Sequence, residues 1–280
     1  MVDTHEVIPN ISRGVDNLVR GQNNQERQAI LDWLTSTDSS LQQSDFIGRR
    51  QEGTGEWLLK SSGFQDWVNQ KTQILFCPGI PGGGKTIITS IVVDHLCRRF
   101  QNDAKVGIAY LYCNFRQQEE QRPEDLLLSL LKQLAQRQPS IPESVKSLYK
   151  YHKMKETRPL FSEVSEVLHS VITGYQRTFI IIDALDECQV SNGYRYKFLS
   201  EIFKLQAKTG ASLLATSRFI PDIEKEFEKR KSILLEIRAR DEDVQRYLDN
   251  NMCRLPSFVL FNPGLQDEIK TEITTAVRGM

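Results

Sequence analysis

The stretch Phe76–Ser90, "FCPGIPGGGKTIITS", decides how the rest of the chain is read. An apolar run, "QILFC" (73–77), leads into it, and Ile87, Ile88, Ile91, Val92 and Leu96 follow at the spacing of a helix that buries one wide face. Between two rigid elements the chain thus places its most flexible residues and closes them with Lys85-Thr86. "GIPGGGKT" (79–86) fits G-x-x-x-x-G-K-[ST]. Phosphate oxygens need several backbone N–H groups turned into one concave loop, and side chains would block that approach. Gly79, Ile80, Pro81, Gly82, Gly83 and Gly84 therefore read as a phosphate cradle, with the positive end of the helix that starts near Lys85 facing the anion. Lys85 supplies a cation for the β- and γ-phosphates, and the Thr86 hydroxyl a ligand for Mg²⁺. An ordinary Gly-rich turn is the plain alternative, and the strand before and helix after speak against it.

A phosphate loop needs an acidic partner, and "FIIIDALDEC" (179–188) supplies one. Four apolar strand residues end in Asp183, which would hold the metal directly or through water. Asp186 and Glu187 follow at the edge where α/β sheets place their ligands. Either could orient or deprotonate a water attacking the γ-phosphate, and the residues leave that choice open. The next strand ends in "LLATSRF" (213–219), where the Arg218 guanidinium would contact the γ-phosphate. Taken singly, a strand capped by Asp183 and a surface arginine would be unremarkable; order and position join them to the loop.

Outward from these motifs, strands alternate with helices. Strands are expected at 73–77, 106–115, 178–183, 211–217 and 232–237. Helices are expected within 15–34, near 57–68, from 87, after Pro123 and Pro142, at 164–172, 194–206 and 221–228, and near 241–254 and 265–278. The alternation predicts parallel βαβ units, a three-layer α/β fold with helices on both faces of one open sheet. "TSTDSSLQQSDF" (35–46) is polar and serine-rich and reads as a linker. The divisions drawn are a helical segment and linker over 1–43, a nucleotide-binding core over 44–240, and the start of a helical lid over 241–280.

Composition narrows the classes. Lys plus Arg equals Asp plus Glu, 36 each, so no basic excess advertises a nucleic-acid groove, and nucleic acid is not expected as a partner. The five cysteines are scattered without a C-x-x-C pair, which argues against a disulfide framework or zinc site and for a reducing, cytoplasmic setting. No apolar run approaches the ~20 residues that span a bilayer.

With three motifs in order, the sequence resembles the NACHT family of signal-transduction P-loop NTPases, an AAA+-like group, and in particular the NACHT proteins of filamentous fungi. "GIPGGGKT", "IIIDALDE" and "LLATSRF" are similar to its three motifs; "ERQAILDWL", "QSDFIGRRQEGTGEWLL" and "DEDVQRYL" have its character, so the likeness covers residues 25–280. The resemblance implies that 79–86 bind phosphate and Mg²⁺, that Asp183 holds the metal, that Arg218 senses the γ-phosphate and that Asp186 or Glu187 serves hydrolysis. Gly83 departs from it, since the family often has Ala there. It also implies a receptor-like switch that binds ATP or GTP, hydrolyses it slowly, and acts through protein partners or self-assembly, with a lid that here stops early. Two other readings stay open: a non-hydrolysing or inactive interaction module, and a small-molecule kinase, for which no acceptor-pocket motif is present.

Overall fold

The computed structural model describes residues 23–37, 39–115 and 121–278. Its centre is one sheet of five strands: β1 (Ile74–Pro78), β2 (Val106–Tyr112), β3 (Arg177–Asp183), β4 (Ser212–Ser217) and the short β5 (Ile233–Leu234). All pairings are parallel, in the order β2-β3-β4-β1-β5. The strand ending in Asp183 is therefore separated from the phosphate-loop strand by β4, and the ends of all three lie side by side.

The strands read as continuous apolar runs because both faces are covered. Phe179 and Ile181 pack on one side with Leu75, Val92 and Trp67; Ile180 and Ile182 pack on the other with Leu127, Leu168 and Phe203. The first layer is built by α4 (Ser62–Asn69) and α5 (Lys85–Arg99), the second by α6 (Pro123–Arg137), α8 (Phe161–Thr173), α9 (Tyr194–Thr209) and α10 (Pro221–Glu228). Pro at the first helical position starts both α6 and α10, where the missing N–H is no loss. Glu143–Lys155 forms α7, which packs on α8. The expected three-layer α/β fold is thus present.

Several expectations shift. Residues 23–34 form α1; the rest of the helix expected over 15–34 lies outside the described residues. The linker read at 35–46 is corrected: Ser39–Gly48 is a helix, α2, lying on α5 and β2. Its apolar contacts come from Phe46, on the Tyr112 ring, and Ile47, on the core; two adjacent residues set no helical period, and the rest of its packing is polar. Ser39 Oγ meets Ser129 Oγ at 3.2 Å, Gln43 Nε2 donates to Ser90 O at 2.9 Å, and the Tyr112 hydroxyl donates to Gln43 Oε1. Residues 56–69 are two helices, α3 (Glu56–Lys60) and α4, because Ser61 turns extended and its hydroxyl accepts the Phe64 N–H at 3.3 Å. Strand β2 stops at Tyr112, three residues early, and β5 keeps ladder geometry over two residues only. Past β5 the main chain still follows the sheet edge, with Leu235 and Ile237 donating to Phe76 O and Pro78 O. Then come α11 (Asp241–Asn251), the short α12 (Ser257–Leu260) and α13 (Pro263–Arg278), which pack on one another. No helix among the described residues is long and apolar enough to cross a membrane.

Candidate functional site

The loop between β1 and α5 is held at both ends by main-chain bonds: Gly79 N–H to Ser217 O at 3.0 Å and Ile88 N–H to Gly84 O at 2.9 Å. Gly84, the N-cap of α5, has φ 87°, a left-handed conformation that suits glycine. Gly79 abuts the main chain of Ile237, and a Cβ there would collide with that carbonyl. Among the described residues the N–H groups of Gly82 and Gly84 have no acceptor, so the loop presents bare donors beside the first turn of α5. Lys85 Nζ donates to Gly79 O at 3.0 Å and Ile80 O at 2.8 Å, folded over its own loop. Burial lowers the Lys85 pKa, with Asp186 and Asp183 opposing and Arg218 assisting.

Asp183 is 1% exposed and accepts three hydroxyls: Thr86 Oγ1 at 2.7 Å, Thr89 Oγ1 at 2.8 Å and Thr216 Oγ1 at 2.7 Å. Burial raises its pKa and these hydrogen bonds oppose the rise. Thr86 and Asp183 are hard oxygen donors of the kind Mg²⁺ takes, side by side where α5 begins, so the residues fit that ion. Beyond Asp183 the chain turns sharply through Ala184, whose φ of 53° and ψ of 52° are costly for a residue with a Cβ, by about 1–2 kcal/mol. The Thr216 hydroxyl accepts the Ala184 N–H at 2.9 Å and steadies that turn. The turn returns Asp186 and Glu187 to the sheet edge. Asp186 pairs with Arg218, and Glu187 Oε2 accepts the Phe115 N–H at 3.2 Å.

These residues surround a cavity of about 330 Å³ lined by Pro81, Gly82, Gly84, Lys85, Thr86 and, opposite, Ala184, Asp186, Glu187 and Arg218. The structure thus brings together the loop, Asp183, both acidic candidates and the arginine. It adds Thr89 and Thr216, which the motifs did not flag. Thr89 is one helical turn past Thr86, and Thr216 alternates with the strand's inward residues; that spacing was the available signal. A neighbouring cavity of about 460 Å³ on the far side of Gly82–Gly84 also escaped the sequence reading. It is walled by Trp57 and Gly55 from the segment before α4, and by Asp243, Tyr247 and Ile273 from α11 and α13. Two bonds tie those walls: Gly55 N–H to Asp243 Oδ2 at 2.9 Å, and Arg246 Nη1 to Gly53 O. Residues from both ends of the chain meet there, so no local pattern could reveal it.

Sheet order, glycine loop and buried aspartate together define a P-loop NTPase of the AAA+-like, NACHT-like kind. The chain belongs to the family described as Nephrocystin 3, N-terminal, whose sequence model matches residues 53–218. It is also similar to the Vegetative incompatibility protein HET-E-1 of Podospora anserina, 26% identical over 215 residues, which supports the expected likeness to fungal NACHT proteins. That match takes in 71% of this chain and 15% of the relative, so the chain spans a small part of that protein's length. Among solved structures, an Aeropyrum pernix Orc1 protein in complex with DNA overlaps with a TM-score of 0.45 at 16% identity, covering 74% of this chain and 50% of that one. DnaA bound to AMPPCP and single-stranded DNA overlaps with a TM-score of 0.44 at 14% identity, covering 83% and 63%. Overlaps this partial add nothing to the strand order itself. They do correct one expectation. Both are described with DNA bound, so the exclusion of nucleic acid as a partner is withdrawn. The physical reason is that a net charge of zero is a sum over 280 residues, whereas a phosphate-binding surface needs only a local cluster.

Proposed function

We propose that the chain is a nucleotide-operated switch that binds a nucleoside triphosphate with Mg²⁺, cleaves it slowly, and differs in arrangement according to whether the γ-phosphate is present. One observation carries the reading: loop residues Pro81, Gly82, Gly84, Lys85 and Thr86 border one cavity with Glu187 and Arg218 at the C-terminal edge of the sheet, and Asp183 lies just beneath it, bonded to Thr86. In this reading Lys85 leaves its loop carbonyls for the phosphates, as a cation can when an anion offers stronger acceptors. Thr86 and Asp183 would hold Mg²⁺, which supplies charge neutralisation between the β- and γ-phosphates. The charges favour a metal-bound substrate. Asp183, Asp186 and Glu187 outnumber Lys85 and Arg218, so a bare polyphosphate would meet a net negative site.

The 460 Å³ cavity beside Gly82–Gly84 is of a size for a purine and its ribose, adenine or guanine. Because α11 and α13 wall it, bound nucleotide would couple the core to the helices that follow, as a switch requires. Kinship with a vegetative incompatibility protein supports a role in intracellular signalling. Five free thiols suit the reducing cytoplasm.

The test is a titration with fluorescent ATP and GTP, alongside mass identification of any nucleotide that co-purifies. Lys85→Ala should abolish binding; unchanged affinity in that variant would sink the reading. Tight binding with no phosphate release from the wild-type protein would instead favour a non-hydrolysing module.

A further inference from the structure

Asp186 and Arg218 look like holders of two separate roles, a water-activating carboxylate and a phosphate sensor. Their contacts tell otherwise. Both Asp186 oxygens are engaged by one residue: Oδ1 accepts the Arg218 main-chain N–H at 2.9 Å, and Oδ2 accepts its Nε–H. Although Asp186 borders the cavity, its side chain is only 2% exposed, whereas that of Arg218 is 48% exposed. Burial alone would raise the Asp186 carboxyl, yet the Arg218 N–H groups outweigh it and hold the pKa below its ordinary value. A carboxylate so enclosed and so weakly basic is poorly suited to take a proton from water. The same pairing leaves the terminal Nη nitrogens of Arg218 without a hydrogen bond among the described residues, on a side chain that lines the cavity facing Lys85. Glu187 has a different setting. It borders this cavity and also a second one, of about 420 Å³, on the other side of Thr86.

We propose that Asp186 is a positioning residue, which grips Arg218 by Nε and main chain so that the Nη pair reads the terminal phosphate, and that Glu187 is the carboxylate that orients the attacking water. This rests on the nucleotide reading above. In the reaction the water oxygen bonds to the γ-phosphorus as the bond to the β–γ bridging oxygen breaks. The products are the diphosphate and inorganic phosphate, and the water proton passes to Glu187 or to the departing phosphate.

The experiment measures affinity for a non-hydrolysable triphosphate and for the diphosphate, each with Mg²⁺ and in adenine and guanine forms. The proteins are the wild type, Asp186→Asn, Asp186→Ala, Arg218→Ala, the Asp186→Ala/Arg218→Ala double variant and Glu187→Gln. Wild type should prefer the triphosphate. Asp186→Ala and Arg218→Ala should each cut that preference about tenfold, the worth of a charge-assisted hydrogen bond, with diphosphate affinity kept. The double variant should lose no more than Arg218→Ala alone, since the two residues act as one unit. Asp186→Asn keeps an acceptor for the Arg218 N–H, guards against a folding failure, and should still lose most of the preference. Glu187→Gln should keep the preference and stop phosphate release. Asp186 variants that retain the preference, effects that add in the double variant, or phosphate release at the wild-type rate from Glu187→Gln would each overturn the inference. So would a wild-type protein that binds both nucleotides without preference. A wild type that binds neither overturns the nucleotide reading itself.

Discussion

Gly79, Gly83 and Gly84 share one loop, yet each is glycine for a different reason. At Gly84 a Cβ would meet nothing within 4 Å, so the cost of Gly84→Ala is the left-handed φ of 87°, about 1 kcal/mol. At Gly79 the obstacle is steric: the Ile237 carbonyl is main chain and cannot swing aside without displacing the 235–237 edge. Gly79→Ala should therefore destabilise more than Gly84→Ala in urea unfolding. Gly83, the departure from the family, has ordinary φ, and its added Cβ would lie 3.2 Å from Ile80 O and 3.4 Å from Ile237 O. Gly83→Ala should be the mildest of the three; a ranking with Gly79→Ala mildest would contradict this account. The motif made these glycines visible, but only packing separates their roles.

Among the elements, α11 is tied to the 53–55 turn by Asp243 and Arg246, and both wall the 460 Å³ cavity. Asp243→Ala removes the acceptor of the Gly55 N–H. Losing one hydrogen bond of ~1 kcal/mol should weaken nucleotide affinity about fivefold. Because this wall lies away from the cavity bordered by Lys85 and Arg218, where the proposal puts the terminal phosphate, diphosphate and triphosphate should weaken alike, in contrast to Asp186→Ala. Parallel titrations with the two nucleotides would separate the cases. The same scale explains the misread of α2. Beyond the adjacent pair Phe46-Ile47, its contacts are hydrogen bonds to residues 47 to 90 positions away, so no apolar period inside "SSLQQSDFIG" announces a packed helix. Apolar periodicity found α5, α6 and α8 because those helices are held by burial, which leaves a repeating mark in the sequence.

At the scale of the whole molecule, the sheet is a two-sided core, and Trp67 is its largest fully buried side chain. Its ring packs on Phe64 and Phe179, and its indole Nε1–H donates to Leu213 O at 2.9 Å, joining α4 to β4. Trp67→Ala should cost about 3–5 kcal/mol in chemical unfolding, and a loss under 1 kcal/mol would place the ring outside the cooperative core. The sequence by itself determined the alternation of strands and helices, the glycine loop between β1 and α5 and the buried Asp183, because each is written in contiguous residues whose burial or chemistry constrains neighbours one turn or one pleat away. The tertiary structure alone decided the rest. It put β4 between β1 and β3, which sets Thr216 against Asp183, 33 positions apart, and Arg218 against Asp186, 32 apart. It also brought Cys113, just past β2, and Cys188, in the turn after β3, to 2.9 Å between sulfurs. Such pairings follow from strand order, and strand order is fixed by how the layers close over both faces of the sheet, which no local stretch of the chain encodes.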